Sequence, residues 1–180
     1  MDWNQVPTPV RVCCAALWEA GYEACPVGGC IRDTLLVAPK TETVVSLFPR
    51  TVPTGLRHGT VTVLLGDMSL EVTAFRREGD YADGRHPDAV SFGVGLREDL
   101  ARRDFTVNAM ALRRDGTLAD PFGGQADLDA GLIRCVGNPD RRFQEDALRM
   151  MRAVRFAAQL DFTLENGTAA ALHRNAGRLD

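Results

Sequence analysis

The stretch that decides the fold is Ala24-Cys25-Pro26-Val27-Gly28-Gly29-Cys30-Ile31-Arg32-Asp33-Thr34-Leu35-Leu36. It predicts a short apolar strand, a tight turn at Gly28-Gly29 and an apolar helix opened by a charged pair. Glycine has no Cβ, so a ligand can approach the backbone closely at the turn. The N-terminus of the helix would favour a phosphate there, and Arg32 would add a cation. A strand–turn–helix corner without a ligand site fits the same sequence.

Composition describes a soluble globular protein without a general affinity for nucleic acid. Hydrophobic residues make up 45% and charged residues 25% of the 180 residues, and the net charge is −3. Binding of nucleic acid would therefore need a local basic patch. The five cysteines show no CxxC spacing and predict reduced, buried thiols in a cytoplasmic protein, without a zinc site. No signal peptide or membrane-length apolar run is present in the sequence, which predicts no membrane association.

The first half of the chain predicts a packing helix and a hairpin. Thr8-Pro9 is a favourable helix start, and residues 48–55 are typical of a loop. Residues 58–65 and 70–75 alternate as two strands, and Glu71 and Thr73 share one face of the second strand. A glutamate that faces a cleft is a candidate metal or proton ligand, whereas a solvated hairpin face is the more common arrangement. Residues 76–87 predict a mobile loop.

A second dense stretch is Arg102-Arg103-Asp104-Phe105-Thr106-Val107-Asn108-Ala109-Met110-Ala111. Its spacing predicts a helix start on which Arg103, Asp104 and Asn108 lie near one another. A guanidinium and an amide on one side suit phosphate and ribose hydroxyls. The spacing fits an ordinary polar helix face equally well.

From Pro139 the pattern predicts one long helix. Its apolar stripe consists of Phe143, Ala147, Met150, Met151, Val154 and Ala158. Arg149, Arg152 and Arg155 follow at three-residue steps and would form a ladder able to hold a nucleoside triphosphate. A salt-bridged, solvated helix face is the alternative, because Glu145 lies four residues before Arg149.

Taken together, these motifs resemble those of bacterial class II tRNA nucleotidyltransferases, the CCA-adding enzymes and their poly(A) polymerase relatives in the polymerase-beta-like superfamily. The matching stretches cover nearly the whole chain in the family's order, at residues 27–36, 57–61, 71–76, 79–87, 102–110 and 145–156. The resemblance implies an α+β nucleotidyltransferase head over residues 1–138. It implies the start of a helical neck over residues 139–180, with the family's body and tail domains absent.

The resemblance also implies roles for individual residues. Asp146 and Arg149 would present a base-like edge to CTP or ATP. This is chemically sensible, because a carboxylate accepts from the exocyclic amine and a guanidinium donates to ring acceptors. Glu71 would be a supporting carboxylate. The remaining nucleotide-binding residues would be Gly28, Gly29, Arg32, Arg103, Asp104, Asn108, Arg152 and Arg155.

One departure from the family concerns its metal site. The family carries an Asp-x-Asp pair that holds two Mg2+ ions, but no aspartate lies between Asp33 and Asp67 here. Glu42 and Glu71 cannot replace two carboxylates at i and i+2 of one strand. Either a segment is missing from this sequence or the chain is a deletion form. We therefore predict a chain that binds nucleotide but catalyses poorly or not at all.

The function implied is template-independent addition of C and A, from CTP and ATP, to tRNA 3′ ends. Without the body and tail domains, and at a net charge of −3, we expect weak binding of tRNA. A catalytically dead nucleotide-binding module of the same fold is one alternative. A CC-adding, A-adding or poly(A) polymerase relative is the other.

Overall fold

The computed structural model describes residues 3–27, 34–37, 40–55, 59–79, 81 and 87–179, and only the backbone of 34–37. The chain divides into two compact units. The first unit comprises Met1–Arg77, Ser91–Asp99 and Ala111–Ala119. The second unit comprises Glu78–Val90, Leu100–Met110 and Asp120–Asp180. The mixture of helices and small sheets confirms the α+β class.

A five-stranded sheet forms the first unit. Its strands are β1 (Ala24–Pro26), β2 (Thr34–Val37), β3 (Thr51–Gly55), β4 (Thr60–Leu65) and β5 (Met68–Ala74). Their spatial order is β1-β2-β5-β4-β3. β2 runs parallel to β5, and the other neighbouring pairs are antiparallel. The sheet is therefore mixed, with β5 at its centre.

The β4–β5 hairpin is confirmed, and β5 shows the period-two pattern up to Val72, whereas Thr73, on the face of Glu71, is buried. Leu70, Val72 and Ala74 of β5 are buried, whereas Glu71 is exposed. Alternate side chains of a strand point to opposite faces, so one face of β5 joins the core. Helices α1 (Thr8–Glu19) and α2 (Thr41–Leu47) supply the partners of that face. The core consists of Val6, Val10, Cys13, Cys14, Leu17, Ala24, Val44, Phe48, Val63, Leu70, Val72 and Leu112.

Two strands of the five-stranded sheet correct the sequence prediction. Thr34–Val37 forms β2 rather than part of a helix, because its backbone pairs with β1 on one side and β5 on the other. Thr51–Gly55, predicted as loop, forms β3 by pairing with β4. Long-range pairing decides both segments, and local spacing does not report it. Residues 28–33, including the Gly-Gly turn, lie outside the described residues.

Short strands and an α-helix lie between residues 76 and 119. They are β6 (Arg76–Glu78), β7 (Val90–Phe92), α3 (Leu96–Ala101), β8 (Ala111–Leu112) and β9 (Leu118–Ala119). β8 pairs with β9, and β6 pairs with β7. The prediction of a mobile loop over residues 76–87 is therefore wrong at its start, because Arg76–Glu78 forms a strand by pairing with a distant segment. Buried Asp99 accepts a hydrogen bond from the Arg76 amide at 3.1 Å.

The second unit is mainly helical. Its elements are α4 (Gly124–Asp129), β10 (Leu132–Ile133), α5 (Pro139–Glu145), α6 (Leu148–Leu160), β11 (Thr163–Leu164) and α7 (Asn166–Asn175). β10 and β11 pair in parallel. A separate apolar core lies between these elements and consists of Phe105, Val107, Ile133, Cys135, Phe143, Met150, Ala153 and Ala171. The second unit thus has its own hydrophobic cluster.

The long helix predicted from Pro139 is broken at Asp146. Asp146 has extended backbone angles, φ −146° and ψ 107°, between α5 and α6. The break rotates the second half of the stripe away from the core. Met150 stays buried, whereas Met151 is 56% and Val154 51% exposed.

The cysteines agree with the prediction where the structure describes them. Cys13, Cys14, Cys25 and Cys135 are free and buried, and Cys30 lies outside the described residues. Burial raises the pKa of the Cys13 thiol to about 12, so its thiolate is scarce at neutral pH. Within the described part of the chain, no helix is long and apolar enough to cross a membrane.

Gly124 provides a test of packing in the second unit. A Cβ there would overlap the Thr106 carbonyl oxygen and lie 2.8 Å from Met110 Cγ. We expect Gly124→Ala to lower the free energy of unfolding by about 1–3 kcal/mol in urea titration. Gly177→Ala is the matched control, because a Cβ at Gly177 meets nothing within 4 Å. Equal stability of the two variants would contradict this packing.

Candidate functional site

The helix break gives the Asp146 carboxylate a fixed place. Its Oδ1 accepts a hydrogen bond of 2.9 Å from the Leu148 amide. This contact satisfies one of the amides that have no partner inside the first turn of α6. A carboxylate has about four acceptor positions, so capping the helix leaves capacity to accept from a ligand.

Arg149 lies in the first turn of α6 and is only 8% exposed. Its Nη1 donates to Glu145 Oε2 at 2.9 Å, and its Nη2 donates to the Arg102 carbonyl at 3.3 Å. Its guanidinium carbon lies 5.9 Å from the centre of the Tyr81 ring. A guanidinium has five N–H donors, so these two hydrogen bonds leave others for a ligand.

Three guanidinium groups surround the single carboxylate of Glu145. Besides Arg149, Arg142 donates to Glu145 Oε1 at 2.8 Å and Arg141 at 3.2 Å. Burial lowers the pKa of Arg142, and Glu145 opposes that shift. One negative charge against three positive charges leaves a local cationic surplus. The i, i+4 spacing of Glu145 and Arg149 indicated their contact, and the structure confirms it.

Asp104 holds together the residues of the second motif. Its Oδ2 accepts from Arg152 Nε at 2.7 Å and Nη2 at 2.6 Å. Its Oδ1 accepts from the Phe105 amide at 2.9 Å and from Asn108 Nδ2 at 3.3 Å. Arg103 Nη1 donates to the Asn108 carbonyl at 3.0 Å. The structure therefore brings Arg103, Asp104 and Asn108 together, as predicted.

The helix predicted for this motif is absent at its start. Phe105 is extended, with φ −123° and ψ 150°, and forms an isolated bridge with Cys135. Only Thr106–Asn108 forms a single 3₁₀ turn. The proximity of Asp104 and Asn108 therefore comes from a tight turn after an extended residue.

The predicted arginine ladder has three different environments. Arg149 pairs with Glu145, and Arg152 pairs with Asp104. Arg155 is exposed and lies 4.9 Å from the Phe156 ring centre, with Arg152 at 5.3 Å from the same ring. The pairing restricts the positions of the Arg149 and Arg152 guanidinium groups.

The remaining predicted site residues belong to the first unit. Glu71 is exposed on β5, where it lies in register with Thr62 of β4 and Thr34 of β2. Gly28, Gly29 and Arg32 lie outside the described residues. In the described ranges, no group of three histidine, cysteine, aspartate or glutamate residues is placed to hold a metal ion. The carboxylates within those ranges therefore do not form a site for two magnesium ions.

Sequence reasoning missed three residues around Arg149. Glu78 accepts from Arg102 Nη1 at 2.8 Å, and the Tyr81 hydroxyl donates to the same carboxylate. Glu78 and Arg102 are 24 residues apart in sequence, so no helical or strand spacing connects them. Only the folded chain shows these contacts.

The fold is that of a nucleotidyltransferase head. The Poly A polymerase head domain family matches residues 25–134, and the chain belongs to this family. It is 49% identical over 182 residues to a CCA-adding enzyme of Limosilactobacillus fermentum, covering 96% of this chain and 46% of the relative. The crystal structure of the Bacillus stearothermophilus CCA-adding enzyme with CTP matches with a TM-score of 0.87 at 39% identity. That match covers 97% of this chain and 45% of the other.

These comparisons confirm the resemblance to bacterial tRNA nucleotidyltransferases and bear on the missing segment. The chain spans about half the length of the curated relatives it matches. A CCA-adding enzyme of Limosilactobacillus reuteri aligns at 48% identity over 193 residues with all of this 180-residue chain, which is 48% of the relative. The difference of 13 means that at least this many residues of the relative have no counterpart here.

The Asp104–Arg152 pair can be tested by stability. Arg152→Ala removes the charged partner of a buried carboxylate, and we expect it to lower the free energy of unfolding by about 1–3 kcal/mol. Arg155→Ala removes an exposed arginine of the same helix, and we expect a change within about 0.5 kcal/mol. Urea denaturation measures both values. Equal losses would show that the Asp104 contact does not stabilise the second unit.

Proposed function

We propose that this chain is the nucleotide-binding part of a CCA-adding tRNA nucleotidyltransferase. Such an enzyme adds C and A from CTP and ATP to tRNA 3′ ends without a nucleic-acid template. The observation that carries the proposal is the placement of Asp146 and Arg149. The carboxylate caps the first turn of α6, and the guanidinium is held within that turn by Glu145.

The chemistry of this pair matches the two bases. Cytosine and adenine each carry an exocyclic amine beside a ring nitrogen that accepts hydrogen bonds. A carboxylate accepts from the amine, and a guanidinium donates to the ring nitrogen or to the cytosine carbonyl. Uracil and guanine present a carbonyl where the amine would be, and that oxygen would face the Asp146 carboxylate. The pair therefore favours CTP and ATP.

The other predicted residues suit the rest of the nucleotide. We assign Arg103, Asp104 and Asn108 to the sugar and nearby phosphates, and Arg152 and Arg155 to closing the pocket around it. The Asp104–Arg152 pair supports this assignment, because it fixes two of these groups in place. Gly28, Gly29 and Arg32 are assigned to the triphosphate on the family resemblance alone. The head of residues 1–138, the neck of 139–180 and a cytoplasmic location belong to the same proposal.

Catalysis is the activity that we expect this chain to perform poorly. Nucleotidyltransferases of this class generally use divalent metal, and Mg2+ is the ion that the resemblance implies. We assign Glu71 to the supporting carboxylate, but its register neighbours Thr62 and Thr34 add no second one. We therefore propose that the chain binds nucleotide and transfers it poorly or not at all. This observation favours the alternative of a nucleotide-binding module without chemistry.

Replacing one carboxylate oxygen of Asp146 by an NH2 group tests base selection. In Asp146→Asn the amide oxygen can still cap Leu148, while the NH2 group becomes a donor toward the base. We expect affinity for CTP and ATP to fall about 10–100-fold, and affinity for UTP and GTP to rise relative to them. Isothermal titration calorimetry with each nucleotide gives the four dissociation constants.

The control for this variant is Asp67→Asn in the turn between β4 and β5, which should leave all four dissociation constants unchanged. Circular dichroism of Asp146→Asn confirms that α6 is intact. If the variant keeps the preference of the unaltered chain for CTP and ATP, Asp146 does not read the base.

Transfer is tested separately from binding. We incubate the chain with Mg2+, labelled CTP and ATP, and a tRNA that lacks its 3′ end. We expect binding of CTP without detectable extension on a sequencing gel, because the described carboxylates do not form a metal site. The Limosilactobacillus fermentum enzyme serves as the positive control. Extension of the tRNA by this chain would overturn the loss of chemistry and favour the enzyme.

A further inference from the structure

We propose that Tyr81 and Glu78 act as positioning residues for Arg149 and thereby contribute to the choice of base. The inference rests on the proposed function, because it assumes that Arg149 contacts the base. Tyr81 and Glu78 touch Arg149 or its neighbour Arg102 and need no contact with the nucleotide. We call Glu78, Tyr81 and Arg102 the brace.

The brace is built on the Glu78 carboxylate. The Glu78 side chain is only 7% exposed. One of its oxygens accepts from Arg102 Nη1 at 2.8 Å, and the other accepts from the Tyr81 hydroxyl. A buried carboxylate with a guanidinium and a hydroxyl as partners has a strongly preferred geometry. Glu78 therefore fixes both the phenol ring and the arginine.

Both residues held by Glu78 contact Arg149. The Tyr81 ring centre lies 5.9 Å from the Arg149 guanidinium carbon, within the range of a cation–π contact. The carbonyl of Arg102 accepts from Arg149 Nη2 at 3.3 Å. The brace thus reaches Arg149 through one aromatic ring and one backbone oxygen.

Glu145 alone would leave the guanidinium of Arg149 free to turn. The contact of Arg149 Nη1 with Glu145 at 2.9 Å is a single hydrogen bond on a long side chain. Rotation of the guanidinium about this one hydrogen bond costs little free energy. The added carbonyl and ring restrict that rotation from two further directions. The donors that remain for the base are defined only when the guanidinium has one orientation, because its five N–H groups lie in a fixed plane. Misalignment of such a group weakens recognition strongly.

The protonation states are consistent with the brace. Burial and the hydrogen bond to Glu78 raise the pKa of the Tyr81 hydroxyl above its ordinary value, whereas Arg149 opposes the shift. The phenol therefore keeps its proton at neutral pH and donates. The positive charge of Arg149 then faces the electron-rich ring of a neutral tyrosine.

The test compares selectivity, because general destabilisation would change all nucleotides alike. We define selectivity as the ratio of the UTP to the CTP dissociation constant, measured by calorimetry. We expect Tyr81→Ala and Glu78→Gln to lower this ratio about 3–10-fold. Tyr81→Phe keeps the ring and loses only the hydroxyl, and we expect an intermediate loss. Tyr22→Phe in the first unit is the matched control and should leave the ratio unchanged.

A second measurement shows whether Tyr81 acts through the arginine. In a chain that already carries Arg149→Ala, adding Tyr81→Phe should cause no further loss of selectivity. A full additional loss in that background would overturn the inference, because it would show an effect independent of Arg149.

The outcomes separate this inference from the proposed function. If Asp146→Asn changes selectivity while Tyr81→Phe and Glu78→Gln do not, the brace does not position Arg149 and the proposed function stands. If Asp146→Asn changes nothing, the proposed function fails. Should Tyr81→Ala fail to fold by circular dichroism, Tyr81→Phe decides the inference in the same way.

Discussion

The ion pair between Glu145 and Arg149 is the interaction on which the candidate site depends. Arg149 is almost fully buried, and an unpaired guanidinium at a buried position would strongly destabilise the folded chain. Glu145 is the last residue of α5, and the helix ends directly after it, at Asp146. Because of this helix break, the carboxylates of Glu145 and Asp146 have different partners. Glu145 faces three guanidinium groups, while Asp146 caps the next helix and retains acceptor capacity.

An ion pair restricts the orientation of an arginine side chain and also occupies some of its N–H donors. Arg149 commits two hydrogen bonds to protein acceptors and gains a defined orientation from them. Arg152 is more strongly committed, because two of its nitrogens lie within 2.7 Å of one Asp104 oxygen. A site of this kind trades hydrogen-bonding capacity for preorganisation, which lowers the entropy lost when a ligand binds. We therefore expect the proposed base selection to depend more on the orientation of Arg149 than on its number of free donors.

Local patterns predicted those parts of the fold that local patterns control. The β4–β5 hairpin followed from period-two alternation, and α1 followed from its helical spacing. β2 could not be predicted, because its backbone is defined by partners on both sides. The contacts of Arg149 divide in the same way. Glu145 lies at helical spacing, whereas Tyr81 belongs to a segment whose position depends on the folded chain.

The residues that we propose for base selection and the carboxylate that we propose for catalysis belong to different units of the chain. Asp146, Arg149 and their charged partners all belong to the second unit, which has a hydrophobic core of its own. Glu71 and the five-stranded sheet belong to the first unit. Within that sheet β5 pairs with β2 on one side and with β4 on the other, so both of its edges are paired. Because the two sets of residues lie in units with separate cores, we expect the proposed choice of base and the proposed transfer to be separable by mutation.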